Sequence, residues 1–383
     1  MTLSSFRFAT AGEIRFGRGV ATGAVRDLAG MHERTMLVTG ADSARADWLL
    51  CGLKEAGIAV TIFPIPGEPT LAMIEDGIAR GREADAGAVI AVGGGAAIDA
   101  GKAIAALVPA TRPVTDHLEI VGKGLPLDAA ALPCAALPTT AGTGAEVTRN
   151  AVIAVPEHHR KVSLRDSRIL PRLAIVDPLL TDSCPRKITL TSGLDAVTQV
   201  IEPYISTRAN PMTDALCRAA IPAGLAALAA LMTDPDDTDA RDRMAWVSLC
   251  GGLALANAGL GVVHGLAGPL GGLSGAAHGA ICGALLPHGL AANAAACSDR
   301  AVMARTGEIE TWIAAALGGP KAAALTTLAD WSCTAGLPGL DALGITAGAR
   351  AAAADAAAAS SSMKANPAAL DKAQLSAIMA LAR

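Results

Sequence analysis

Through the first half of the chain, short apolar runs alternate with segments whose apolar residues recur at helical spacing. Buried strands are predicted over 35–39, 58–63, 88–92, 134–137 and 173–176, and helices over 20–29, 44–56, 71–84 and 97–107. Residues 64–69 read as a loop, and 147–155 with 161–164 as a hairpin around a polar turn. Strands and helices alternating at this spacing imply parallel βαβ units. From Pro185 onward turn signals thin out and helical periods dominate: 213–231, 241–258, an Ala-rich stretch over 349–363 and a last helix from 368. The expected organisation is therefore an α/β domain over 1–184 followed by an all-helical domain over 185–383.

Charge changes this picture at one place. Residues 244–298 contain no Asp, Glu, Lys or Arg, and about 20 predominantly apolar residues are enough to cross a bilayer. The stretch is nevertheless rich in Gly and Ala and carries Pro269, Pro287, His264, His278 and His288. Polar groups are rare inside membranes, so a helix buried on all sides is expected and no membrane. The net charge of -4 gives no basic footprint for nucleic acid. Eight scattered cysteines without a CxxC pair suit a reduced, cytoplasmic protein, and the opening residues show no signal-peptide pattern.

Candidate chemistry clusters at three points. Gly93-Gly94-Gly95 follows an apolar strand and opens a helix, a turn whose free backbone N–H groups suit a diphosphate. Thr139, Thr140 and Thr143 follow another strand, at the sheet edge where open α/β sheets bind ligands. Asp195 and Gln199, four residues apart, share one helix face. An aspartate near a helix start is also favoured by the helix dipole alone. His264 and His278 flank 268–275, too rich in Gly and Pro for continuous helix, so they are expected on two separate elements. His288 reads as structural. Two histidines in one charge-free region, with the carboxylate of Asp195 on an earlier helix, point to a metal.

Taken together, GGGAAIDAGKA (93–103), LPTTAGTGAEVT (137–148), GLDAVTQVIEPY (193–204), GLGVVHGLAGPLGG (259–272), HGAICGALLPH (278–288) and Asn366-Pro367 resemble the iron-containing (group III) alcohol dehydrogenase family, in order and across almost the whole chain. The resemblance implies a Rossmann-like nucleotide-binding α/β domain and an all-α C-terminal domain, the dehydroquinate synthase-like fold, with the active site in the cleft between them. It implies that Gly93, Gly94, Gly95, Thr139, Thr140 and Thr143 lie around the cofactor diphosphate. Asp99, Lys102 and Lys161 would lie near its ribose and nicotinamide end. Asp195, His264 and His278 match three of the family's four metal ligands and would be the catalytic residues, with Fe²⁺ or Zn²⁺ polarising a substrate carbonyl.

Four positions depart from the family pattern. Gln199 stands where the fourth ligand is a histidine, and an amide is a weaker ligand for such metals. Gly268 stands where a histidine near the nicotinamide relays a proton. Gly40 replaces an aspartate that binds the adenosine ribose, and Asp42 and Arg45 follow it. Losing that carboxylate removes repulsion against a 2′-phosphate, so NADP is expected to be tolerated or preferred over NAD. Glu68 stands where asparagine is common. The resemblance implies an oxidoreductase for small alcohols and aldehydes, and an exposed apolar N-terminal strand would favour a homodimer. The alternatives are a maleylacetate reductase-like enone reductase with little metal dependence, a dehydroquinate synthase-like lyase and a non-catalytic NAD(P) binder.

Overall fold

A computed structural model describes residues 5–358 and 360–383. By its internal contacts the chain divides into two compact units, an α/β unit (Ala9–Thr140 with Gly144–Ser183) and a helical unit built on Cys184–Arg383, to which Ala141–Thr143 also belong.

The α/β unit carries eight strands: β1 (Glu13–Phe16), β2 (Arg34–Gly40), β3 (Ala59–Ile65), β4 (Ala88–Gly93), β5 (Cys134–Pro138), β6 (Asn150–Val155), β7 (Arg160–Arg165) and β8 (Leu173–Val176). Six form one parallel sheet in the order β1-β8-β5-β4-β2-β3, and β6 with β7 forms a separate antiparallel hairpin. Both sheet faces are covered, so β4 is buried at every residue and its sequence is apolar throughout rather than alternating. Met36, Val38, Val89 and Ala91 point to one core, where Ile98 and Ile104 pack. Leu37, Ile90 and Val92 point to the other, against Leu49 and Leu53.

The differences from the predicted elements have local causes. β3 runs through Pro64 to Ile65, where a loop was expected. It is an edge strand, and an edge tolerates the missing N–H of proline. The helix expected over 20–29 is two short pieces, Val20–Gly23 and Val25–Ala29. That expected from 44 begins as a 3₁₀ turn, Ser43–Ala46, before Asp47–Glu55. β6 starts at Asn150, since Ala145–Val147 is a 3₁₀ turn.

In the helical unit, Arg186–Tyr204 is one helix, so Asp195 sits well inside it and not in a first turn favoured by the dipole. Val262–Ser274 is also one helix, running through Gly268 and Pro269 and ending at Gly275 in the left-handed region (φ 70°). Burial of Leu266, Ala267 and Leu270 outweighs the local helix-breaking tendency. The Ala-rich helix is Ala347–Ala357, and the last one, Lys372–Leu381, starts at a capping box between Asp371 and Gln374. Pro211–Thr233 is long and apolar enough to cross a membrane. Its buried Cys217, Ile221, Leu225 and Leu228 recur at helical spacing and pack into the core of the unit.

Candidate active site

The candidate nucleotide cradle, Gly93–Gly95 with Thr139 and Thr140, lies at the carboxyl ends of β2, β4 and β5. A Cβ on Gly93 would lie 2.6 Å from the Ala97 Cβ and 3.2 Å from the Gly40 nitrogen, and one on Gly94 would lie 3.4 Å from Thr140 Oγ1. Only a bare backbone lets these strand ends approach so closely. Gly94 caps the helix Gly95–Leu107 without any side-chain bond to its first turn, leaving the orphan N–H groups available to an anion. Thr139 N–H donates to the Gly93 carbonyl at 2.9 Å, tying the two loops together. At the end of β2, a Cβ on Gly40 meets nothing within 4 Å. Asp42 accepts from the Ala44 N–H at 3.2 Å, and Arg45 donates to Ser183 Oγ at 2.7 Å.

Lys102 is fully buried. Its ammonium pairs with Asp99 at 3.0 Å and donates to Ala145 O (2.8 Å), Thr148 Oγ1 (2.9 Å) and Asn150 O (2.5 Å). Asp99 in turn accepts from Val152 N–H at 3.0 Å. Burial raises the Asp99 pKa, and Lys102 and this N–H oppose the rise. The ammonium's three protons thus face protein oxygens, and the pair clamps the turn leading into β6. Lys161 pairs with Glu68 at 2.9 Å, which gives the unusual glutamate a partner. Glu146, in the turn that Lys102 holds, buries both carboxyl oxygens without a hydrogen-bond partner, and burial pushes its pKa up to about 7.

The second centre lies wholly in the helical unit. One ligand atom each from Asp195, His264, His278 and Cys282 gather within 4.8 Å of one another. Asp195 Oδ1 is 3.3 Å from His264 Nε2 and 3.8 Å from His278 Nε2, and Cys282 Sγ is 3.6 Å from His278 Nε2. Helix packing brings these groups together. On His278–Ala296, a Cβ at Gly279 would lie 2.4 Å from the Thr191 carbonyl, and one at Gly283 would lie 2.7 Å from Leu194 Cδ1. These two glycines, each one residue beyond a ligand, let that helix press against Arg186–Tyr204 and bring His278 and Cys282 up to Asp195.

Glu202, two turns beyond Asp195 on the same helix, orients His264. Its Oε2 is 2.6 Å from His264 Nδ1, and its Oε1 accepts from Val263 N–H at 2.7 Å. A carboxylate on Nδ1 fixes the tautomer that leaves Nε2 as a lone-pair donor. Asn366 accepts from Val262 N–H at 3.0 Å and from Asn293 at 3.0 Å, securing the start of the same helix.

Asp195 Oδ1 and His264 Nε2 consequently face each other, both buried and neither in a hydrogen bond. Two buried acceptors so placed are unfavourable unless a proton or a metal cation lies between them, and raised histidine pKa values are the protonated alternative to a bound metal. Burial opposes ionisation of Asp195, yet the two histidines outweigh it and hold its pKa below the usual value. Burial likewise lowers the histidine pKa values, and Cys282 and Asp195 reverse this, leaving His278 at about 8 and His264 well above its ordinary value.

Gln199 donates its amide N–H to the Gly142 carbonyl at 2.7 Å. A Cβ at Gly268 meets nothing within 4 Å. Sequence reasoning overlooked Cys282 and Glu202. Their signals were spacing, four residues after His278 and seven after Asp195.

Residues 11–178 match the family described as iron-containing alcohol dehydrogenase, and 189–382 match the Fe-containing alcohol dehydrogenase family, C-terminal. The chain belongs to the iron-containing alcohol dehydrogenase family. It is similar to alcohol dehydrogenase 4 of Schizosaccharomyces pombe (32% identity over 71% of this chain and 65% of that protein). It also resembles 1,3-propanediol dehydrogenase of Klebsiella pneumoniae (38% identity over 62% of this chain and 60% of that protein). The chain thus aligns with somewhat less than two thirds of the length of these curated relatives. A crystal structure of 1,3-propanediol oxidoreductase superposes over 99% of this chain and 100% of its own, with a TM-score of 0.88 and 29% identity. The sulfoacetaldehyde reductase of Bifidobacterium kashiwanohense, solved with NAD+, superposes at a TM-score of 0.84 and 26% identity over 99% of each chain. Both share the fold of a parallel-sheet unit followed by a helical unit. The donor atoms gathered from Asp195, His264, His278 and Cys282 are of the kinds that divalent transition metals take, so the candidate site fits such an ion.

Proposed function

We propose that this chain is an NAD(P)-dependent, metal-assisted oxidoreductase that interconverts a small alcohol and its aldehyde or ketone. The observation that carries this reading is the pair of facing, unpartnered buried acceptors, Asp195 Oδ1 and His264 Nε2, with His278 beside them. Asp195, His264 and His278 would hold Fe²⁺ or Zn²⁺, which supplies Lewis acidity to the substrate oxygen when bound. The glycine cradle with Thr139 and Thr140 would hold the cofactor diphosphate, and a bound nicotinamide would supply the hydride chemistry.

The chain's own residues bind and orient. Glu202 keeps His264 in the tautomer that presents Nε2. The Lys102–Asp99 clamp holds the turn from Ala145 to Asn150. With glycine at position 268, the alcohol proton passes to water or a cofactor hydroxyl rather than to a side chain there. The open space at Gly40 and the exposed Arg45 nearby support acceptance of NADP as well as NAD. Gly40→Asp restores a carboxylate where it fits, and the kcat/KM ratio of NADPH to NADH should fall several-fold, since like charges a few ångströms apart near a surface repel by about 1 kcal/mol or more. An unchanged ratio would mean that the adenosine ribose lies elsewhere.

The eight free cysteines and the free edge of β1 with its exposed Phe16 support a cytoplasmic homodimer. The reading is tested by following nicotinamide absorbance with a panel of small alcohols and aldehydes, before and after metal chelation. Turnover that chelation abolishes and Zn²⁺ or Fe²⁺ restores is expected. Activity confined to an electron-poor enone and indifferent to chelation would replace it with the maleylacetate reductase-like reading.

A further inference from the structure

The family pattern places a histidine where this chain has Gln199, yet the helical unit gathers a fourth donor from another helix. We infer that Cys282 is a metal ligand, and that the site is an Asp-His-His-Cys centre suited to zinc. The inference rests on the metal-assisted reading above and specifies its coordination.

Three independent observations converge on Cys282. Its thiol is fully buried, and it belongs to the group of ligand atoms lying within 4.8 Å of one another. The site is also one that asks for a cation, because Asp195 Oδ1 and His264 Nε2 are buried without a hydrogen-bond partner. Finally, two of the separations are those of tetrahedral edges, and a third is about 0.4 Å longer. With Zn–N and Zn–O near 2.0–2.1 Å and Zn–S near 2.3 Å, tetrahedral edges are about 3.3–3.4 Å between N or O atoms and about 3.6 Å between S and N. The chain shows 3.3 Å for Asp195 Oδ1 to His264 Nε2 and 3.6 Å for Cys282 Sγ to His278 Nε2, with 3.8 Å for Asp195 Oδ1 to His278 Nε2.

The donor chemistry favours the same assignment. On metal binding the Cys282 thiol loses its proton to solvent, as a ligating cysteine must. Asp195 and the Cys282 thiolate then both face the cation directly, while the Glu202 carboxylate stays paired with His264 Nδ1. The amide nitrogen of Gln199 is already engaged at the Gly142 carbonyl, which gives that side chain a structural task. Thiolate with imidazole in tetrahedral geometry selects zinc over harder, oxygen-preferring divalent ions.

The decisive experiment is zinc K-edge X-ray absorption on the full chain loaded with one equivalent of Zn²⁺, alongside Cys282→Ser and Gln199→Ala. Wild type should show a sulfur shell near 2.3 Å. Gln199→Ala should keep it. Cys282→Ser should lose it and bind zinc at least about 100-fold more weakly, the upper end of what second-shell changes alone produce. Co²⁺ in place of Zn²⁺ gives a second readout, a thiolate-to-cobalt charge-transfer band in wild type that is missing in Cys282→Ser. Bound zinc with only nitrogen and oxygen neighbours in wild type would overturn Cys282 as a ligand while leaving the metal-assisted reading intact. Failure of wild type to retain zinc at all would overturn both.

Discussion

Each unit of this chain buries a cluster of ionisable side chains, and the two clusters are finished in opposite ways. In the α/β unit, the Lys102 ammonium meets Asp99 and a set of backbone and hydroxyl oxygens, so its donors are matched by protein acceptors. In the helical unit, Asp195 and His264 turn acceptors toward each other across a gap that a proton on His264 or a metal cation fills. Burial alone therefore does not mark a functional site. A closed cluster holds the fold, whereas a cluster whose acceptors converge is shaped for something the chain does not itself provide.

The contrast can be broken by substitution, most severely at the open cluster. His264→Ala removes one of the convergent donors, and bound metal and metal-dependent turnover should both fall by at least about 100-fold. Elemental analysis and steady-state kinetics check this, and retained metal would show that His264 is not a ligand. At the closed cluster, Lys102→Ala leaves the Asp99 carboxylate buried without its partner. That should lower stability by about 3–5 kcal/mol, read from denaturant unfolding, while the folded fraction still binds metal. Loss of metal without loss of stability would reverse the roles assigned to the two clusters.

Glu146 is the flaw in the closed cluster, and its effect is a pH dependence. Its carboxyl titrates near 4.5 in the unfolded chain and about 7 in the folded one. The folded state therefore binds more protons between those values, and stability falls as pH rises through that window. Glu146→Gln removes the loss, so its advantage over wild type should grow by up to about 3 kcal/mol between pH 4.5 and pH 7. Thermal unfolding across this range checks it, and a constant difference would mean that Glu146 is solvated or paired in solution. Glu202→Gln probes the support of the open cluster. It keeps the shape but weakens the hold on His264 Nδ1, and should reduce metal affinity by about 10- to 100-fold, measured by competition with a chelating dye.

Much of the fold was legible because burial on both sides of a parallel sheet demands unbroken apolar runs, which β2, β4, β5 and β8 display. Where local signals misled, tertiary placement had overruled them. Pro64 is harmless because β3 is at an edge, and Pro269 lies inside a helix whose apolar face is fully packed. His264 and His278 could be singled out because polar residues stand out in a charge-free stretch, and Asp195 because it shares a helix face with Gln199. Cys282 could not, since a cysteine among Gly, Ala and Leu looks like a small core residue. Its significance appears only once Gly279 and Gly283 let two helices close to backbone contact. Glu202 was within reach, two turns from Asp195 on the same helix, but its role needed the His264 helix in place.

The most direct test of the account is the metal content of the folded chain purified without chelator and offered Zn²⁺ afterwards, beside His264→Ala treated identically. Near-stoichiometric zinc in the wild type, absent from His264→Ala, is the predicted result. Wild type that stays metal-free would contradict it, and a protonated His264 would then be what balances Asp195.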